Sequence, residues 1–159
     1  MSKKDAPPGL RKTSVALVAL LTCVTLGIYF PIWYLARTDE FNRLHSREKL
    51  GKGICIFGII GFSIGIFISL YSNYTEWMAM IKTGSDLSPA FNYLDITANL
   101  IILIVLVPFA QHTFKIKRIL MDHYNGHLKR DVTFSNVFTL LFLNFYLQLK
   151  INELNQTAP

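Results

Sequence analysis

The sequence predicts an all-α integral membrane protein in which two central transmembrane helices are flanked by two helical segments that span or re-enter. Three observations carry that prediction. Of 159 residues, 52% are hydrophobic and 16% charged, against ~25% charged in ordinary soluble domains. The uncharged stretches run 24 residues from Lys12 to Arg37, 23 from Lys52 to Glu76, 19 from Asp95 to Lys115 and 18 from Asp131 to Lys150. Each reaches the ~18 residues that mark a membrane segment. Together they take 84 residues, leaving no stretch for a separate soluble domain of ~50 residues or more. The chain thus divides into a flexible tail over 1–12, one helical membrane domain over 13–155 with segments at 13–36, 54–74, 96–114 and 132–149, and a short tail at 156–159.

Net charge is +6, from 16 Lys and Arg against 10 Asp and Glu. In a soluble protein that excess would suggest nucleic acid, but here the basic residues gather at segment edges and nucleic acid is not expected as a partner. Basic loops resist translocation and meet anionic headgroups on the cytoplasmic side. If every segment spans, with the N-terminus outside, 10 basic residues fall inside and 6 outside. If the first and fourth segments enter and return, 15 fall on the cytoplasmic side and only Lys82 outside. The re-entrant arrangement satisfies the charge rule better, with most loops cytoplasmic and residues 75–94 outside.

Segment one, 13–36, must then break near its middle. Gly27 loosens the helix and Pro31 removes a donor from its ladder. Trp33 and Tyr34 crowd its exit, as aromatic residues do at a headgroup boundary. Cys23 and Cys55 lie in apolar stretches and read as small buried residues. Segment two, 54–74, is the cleanest helix. Gly58 and the four-residue repeat Gly61, Gly65, Ser69 form a stripe that admits a close helix neighbour, either segment three of the same chain or a partner subunit or second copy. The linker from Thr75 to Leu94 reads as a short interfacial helix around Trp77 and Met80 followed by a turn.

Segment three, 96–114, contains Pro108 as a candidate kink. Beyond it Ile116, Leu120, Tyr124 and Leu128 recur at helical spacing among Lys115, Lys117, Arg118, Lys129 and Arg130. That is the pattern of a basic amphipathic stretch lying along headgroups, interrupted near Asn125 and Gly126. Segment four, 132–149, carries Ser135, Asn136, Asn144 and Gln148, polar side chains that call for protein rather than lipid around them. Its exit, Phe145, Tyr146, Leu147 and then Asn152, echoes Trp33, Tyr34, Leu35 and Asn42.

Catalysis within a membrane requires clustered ionisable groups. The four segments offer one histidine, His112, which reads as interfacial, and no acid. Asp122, His123 and His127 are the nearest approach to a metal cluster, but Gly126 interrupts their helix and no fourth ligand is placed by sequence, His45 being the only distant candidate. No catalytic residue, cofactor or metal is therefore expected.

The run Thr25, Leu26, Gly27, Ile28, Tyr29, followed by Trp33, Tyr34, Asn42 and Leu44, resembles the signature of a family of small bacterial membrane proteins filed as a domain of unknown function, number 4234. The likeness extends from about Arg11 to Leu154. It implies a bacterial, multi-pass protein of the cytoplasmic membrane and carries no catalytic residues with it. The expected role is that of a non-enzymatic accessory or scaffold subunit working through helix contacts with a larger complex or its own copies. The alternatives are a small oligomeric channel lined by Asn99, Asn136, Asn144 and Gln148, and a membrane-shaping protein.

Overall fold

A computed structural model of the chain describes residues 10–83 and 89–156. The tail residues 1–9 and 157–159, and the expected turn at 84–88, lie outside the described residues. The elements are α1 (Val15–Val24), α2 (Tyr29–Asn42), α3 (Gly53–Thr83), α4 (Pro89–Met121), a π-helical turn at Asp122–His127, and α5 (Asn136–Gln156), which breaks at Leu143. The described residues contain no strand.

Helices α3 and α4 form a long antiparallel pair. With 31 and 33 residues, their 1.5 Å rise makes them roughly 46 and 50 Å long, beyond the ~30 Å hydrocarbon thickness of a bilayer. Both are apolar enough to cross a membrane, with windows of mean hydropathy 2.4 and 2.1 that are only 28% and 17% buried. The small residues of α3 set how closely the pair approaches. A methyl group at Gly58 would overlap the Phe109 ring, one at Gly61 would overlap Val105, and one at Gly65 would stand 2.9 Å from Ile102 Cγ1.

Two sequence expectations change here. Residues 75–83 form no separate interfacial helix, because α3 runs straight through them to Thr83. Likewise, residues 115–121 continue α4, which passes through Pro108 without ending. Ile116 and Leu120 are fully buried and Tyr124 is nearly so, so this apolar face packs on protein instead of lying along headgroups. Charges mark where an apolar stretch stops; a helix stops only where its hydrogen-bond ladder does.

Segment one folds back on itself. α1 leaves Thr13, α2 returns to Arg37, and the two ends touch through a hydrogen bond from Arg37 Nη2 to Thr13 Oγ1 at 2.7 Å. The reversal sits against Phe62, since a Cβ on Gly27 would lie 3.3 Å from that ring. Phe62 is nine residues past Gly53, about 14 Å along α3. The break is made at Leu26 and Gly27, whose φ angles are 51° and 98°. Pro31 does not kink a helix. It occupies the first turn of α2, where a missing N–H costs nothing.

Segment four also folds back, about Leu143 at φ 39°. Its first leg, Asn136–Phe142, is seven residues, or roughly 10 Å. Asp131 to Thr133 at its entry and Lys150, Glu153 and Leu154 at its exit line one pocket of about 260 Å³. The Tyr146 hydroxyl accepts from the Ser135 N–H at 3.0 Å.

The core lies where the two returning legs meet α3 and α4. It centres on Phe30, Trp33, Tyr34, Phe41, Phe109, Ile116, Leu147 and Ile151. Trp33 and Tyr34 are therefore buried in protein and do not form a boundary belt. They follow the reversal, so they face inward from the returning leg. Cys55 is buried as expected, whereas Cys23 is exposed.

Candidate functional site: two reversals and a polar collar

The first reversal leaves no backbone donor unpaired. Leu26 N–H bonds Cys23 O at 3.1 Å and Gly27 N–H bonds Thr22 O at 2.8 Å, the paired bonds of a Schellman helix end. The Thr25 hydroxyl accepts from Tyr29 N–H at 2.9 Å, doing the work of an N-cap for α2, and donates to Leu21 O at 2.8 Å. Ile28 and Phe30 donate to Thr25 O and Gly27 O, and Pro31 has no N–H. Each residue of the Thr-Leu-Gly-Ile-Tyr run thus has a part in turning the chain through about half a circle with its donors satisfied. That condition decides whether irregular backbone is tolerated in an apolar medium.

At the open ends of the two hairpins, three asparagines bind backbone from both sides. Asn42 donates to Leu50 O at 2.9 Å and accepts from Leu50 N–H at 2.7 Å. Asn125 does the same to Val132, at 2.9 and 2.8 Å. Asn152 holds Thr13, at 2.8 and 3.4 Å. These clamps tie the exit of α2 to the approach to α3, the π turn to segment four, and α5 to segment one. We call this tier the collar.

A buried ring of contacts stands beside it. Trp33 Nε1 donates to Gln148 Oε1 at 3.1 Å, Gln148 Nε2 to Asn152 Oδ1 at 2.8 Å, and Asn152 to Thr13. Arg37 closes the ring, bonding Thr13 and lying 4.9 Å from the Trp33 ring centroid. Arg37 also meets Glu40 at 3.7 Å, and Glu40 pairs with Arg11 at 3.3 Å. Leu10 is buried, its carbonyl bonded by Asn155 at 2.7 Å. Leu10 and Arg11, expected in a flexible tail, are therefore docked at this end.

The collar also gathers His45, His123 and His127. Their rings are nearly parallel, with centroids 4.0 Å apart for His45 and His127, 5.7 Å for His45 and His123, and 5.8 Å for His123 and His127. His45 N–H donates to His123 Nδ1 at 3.3 Å, so that nitrogen is unprotonated. Burial first, and then the neighbouring His45 and His127, hold the His123 pKa below its ordinary value. His45 and His127 lie face to face with His123 beside them, and no group of three potential metal ligands among the described residues is placed to hold an ion. A cleft of about 830 Å³ opens beside the stack, lined among others by Arg47, Asp122 and Asn125.

The expected site residues divide. Gly58, Gly61 and Gly65 meet α4, while Ser69 is half-buried further along α3. Among the cations assigned to headgroups, Lys117 is buried and bonds Asn136, and Arg118 bonds Glu48 Oε1 at 2.7 Å. That contact holds the Glu48 carboxyl below its usual range. Among the described residues, Lys115, Lys129 and Arg130 have no such side-chain partner. His112 is not interfacial but buried, at 3% exposure against Tyr34. Asn99 turns back onto Asp95 O at the surface of α4, Asn136 binds Lys117, and Asn144 and Gln148 are enclosed. Within the single chain these four residues line no common path.

Sequence reasoning missed the clamps; it grouped His123 with His127 and named His45 as their distant candidate, but not the parallel packing of the rings. The echo between Asn42 and Asn152 was the available signal, since both turn out to be clamps. No curated protein and no solved structure matches the chain. A family model described as a domain of unknown function (DUF4234) matches residues 13–153, and the chain belongs to that family.

Proposed function

We propose that the chain is a non-enzymatic integral protein of the bacterial cytoplasmic membrane, with α3 and α4 as its spans and the first and fourth segments entering from the cytoplasmic side and returning to it. The observation that carries this reading is the contact between Thr13 and Arg37, the two ends of an apolar stretch of spanning length. Three further features support it. The outer faces of the hairpins are apolar and open, with Leu20 59%, Val24 71%, Val137 63% and Leu141 66% exposed, a surface suited to lipid and costly in water. The first reversal satisfies its own donors, as immersion demands. The arrangement also leaves 15 of 16 basic residues on one side.

In this reading the protein works as a membrane-embedded accessory or scaffold element, offering the open faces of its helices to lipid or to a neighbouring membrane protein. The small-residue stripe is not that surface, because α4 occupies it. The test is labelling by an impermeant thiol reagent in intact cells, in a Cys23→Ala, Cys55→Ala background carrying one new cysteine. Ser2→Cys and Thr157→Cys should stay unlabelled until the cells are permeabilised, while Ser85→Cys labels from outside. Labelling of either terminus from outside overturns the topology.

A further inference from the structure

The two hairpins make the molecule unequal across its thickness. At the collar end a cross-section cuts six helical rods: α1, α2, α3, α4 and the two legs of α5. The first hairpin stops at Phe62 and the second has a seven-residue first leg. Beyond them, among the described residues, only α3 and α4 continue, for about 20 more residues of α3. A helix with its side chains is 10–12 Å across, so four additional rods occupy roughly 300–450 Å².

We infer that this protein is a wedge that prefers curved bilayer, binding most favourably where the leaflet on its collar side is convex. The inference rests on the topology proposed above. A body that occupies more area in one leaflet is accommodated at lower cost where that leaflet is already expanded. Its distribution between flat and curved membrane must shift by that difference. Two features make the shape stiff enough to act in this way. The legs of the first hairpin are tied at their open end by Arg37 and Thr13. The hairpins are tied to each other by Asn152 on Thr13 and by Gln148 on Trp33. The apolar faces of α1 and of the first leg of α5 are open, so the added area presses on lipid and is not hidden inside the protein.

The test uses the full chain in phosphatidylcholine and phosphatidylglycerol vesicles of mixed size, where it inserts in both orientations. An impermeant dye on Ser2→Cys reports molecules with the collar outward, and the same dye on Ser85→Cys reports the opposite orientation. Dye per membrane area is then read vesicle by vesicle against diameter. For Ser2→Cys the density should rise roughly twofold or more from large vesicles to small ones, and for Ser85→Cys it should fall. Densities that stay flat, or that rise alike for both, overturn the wedge. Thiol labelling in intact cells separates the two ideas. If Ser2→Cys and Arg43→Cys, before and after the first hairpin, label from opposite sides, the topology has failed. If both stay unlabelled until the cells are permeabilised and the densities are flat, only the wedge has failed.

Discussion

The side-chain amide of Asn152 holds the backbone of Thr13 from both sides, donating to its carbonyl at 2.8 Å and accepting from its N–H at 3.4 Å. Its oxygen also takes a bond from Gln148, so one side chain joins the entry of the first hairpin, the exit of the second and the ring around Trp33. Asn152→Leu keeps the branching at Cγ and removes every one of these bonds, leaving the Thr13 groups unpaired. The expected loss is about 1–3 kcal/mol, read as a fall in the unfolding midpoint in detergent. Asn152→Asp, which keeps the acceptor, should lose less.

Leu26 and Gly27 are neighbours with opposite expectations. Both have positive φ, which costs a residue with a side chain roughly 1–2 kcal/mol. Leu26 is 59% exposed, so Leu26→Gly forfeits little packing and relieves that strain. It should be neutral or stabilising by up to about 1 kcal/mol. Gly27→Val adds the strain and presses on Phe62, 3.3 Å from the new Cβ, and should destabilise by more than ~1 kcal/mol. Thermal unfolding of both variants in one detergent checks the pair of signs.

Gly61→Leu tests what the small-residue stripe touches. The new side chain meets Val105 on α4, and overpacking of this kind costs about 1–3 kcal/mol. A lowered unfolding midpoint is expected with the oligomeric mass of the purified protein unchanged. Loss of an oligomer at undiminished monomer stability would place the stripe between molecules instead.

The histidine stack makes the collar acid-sensitive. The folded pKa of His123 lies below its ordinary value, so the folded collar binds that proton less readily than an opened one does. Its contribution is therefore complete above the ordinary histidine value of ~6.5 and diminishes as the pH falls below it. His45 and Arg47 in the facing loop and His127 in the same turn oppose added positive charge. Asp122, bonded to Ser46 Oγ at 2.9 Å, and Glu48, bonded to Arg118, partly offset it. Hydrogen exchange over residues 43–52, corrected for intrinsic rate, should quicken between about pH 7 and pH 5. His123→Gln should flatten that dependence.

Much of the architecture was legible in the sequence, because the features that carry it are local. A run of apolar residues announces its own length, and Gly27 announces a place where the helix can end. The polar side chains of segment four announced that it packs on protein, and Asn144 and Gln148 are fully buried. What could not be read depends on partners distant in sequence. The break in segment four falls at Leu143, where no Gly or Pro signals it. Trp33 and Tyr34 carry the composition of a boundary belt, and only the reversal before them turns them inward. Asn152 finds Thr13 across 139 positions, and His45 finds His123 across 78; no periodicity records either.

The distance between Thr13 and Asn152 also sets an order of events during synthesis. At 5–20 residues per second, Asn152 leaves the ribosome on the order of ten seconds after Thr13. Arg37 reaches Thr13 within the first hairpin, so that hairpin can close as soon as it is made. Its clamp from Asn152 and its indole partner Gln148 must wait until more than a hundred further residues have been made. A newly made first hairpin therefore stands for several seconds with Trp33 unpaired, and the arrival of Gln148 and Asn152 decides when the fold becomes rigid.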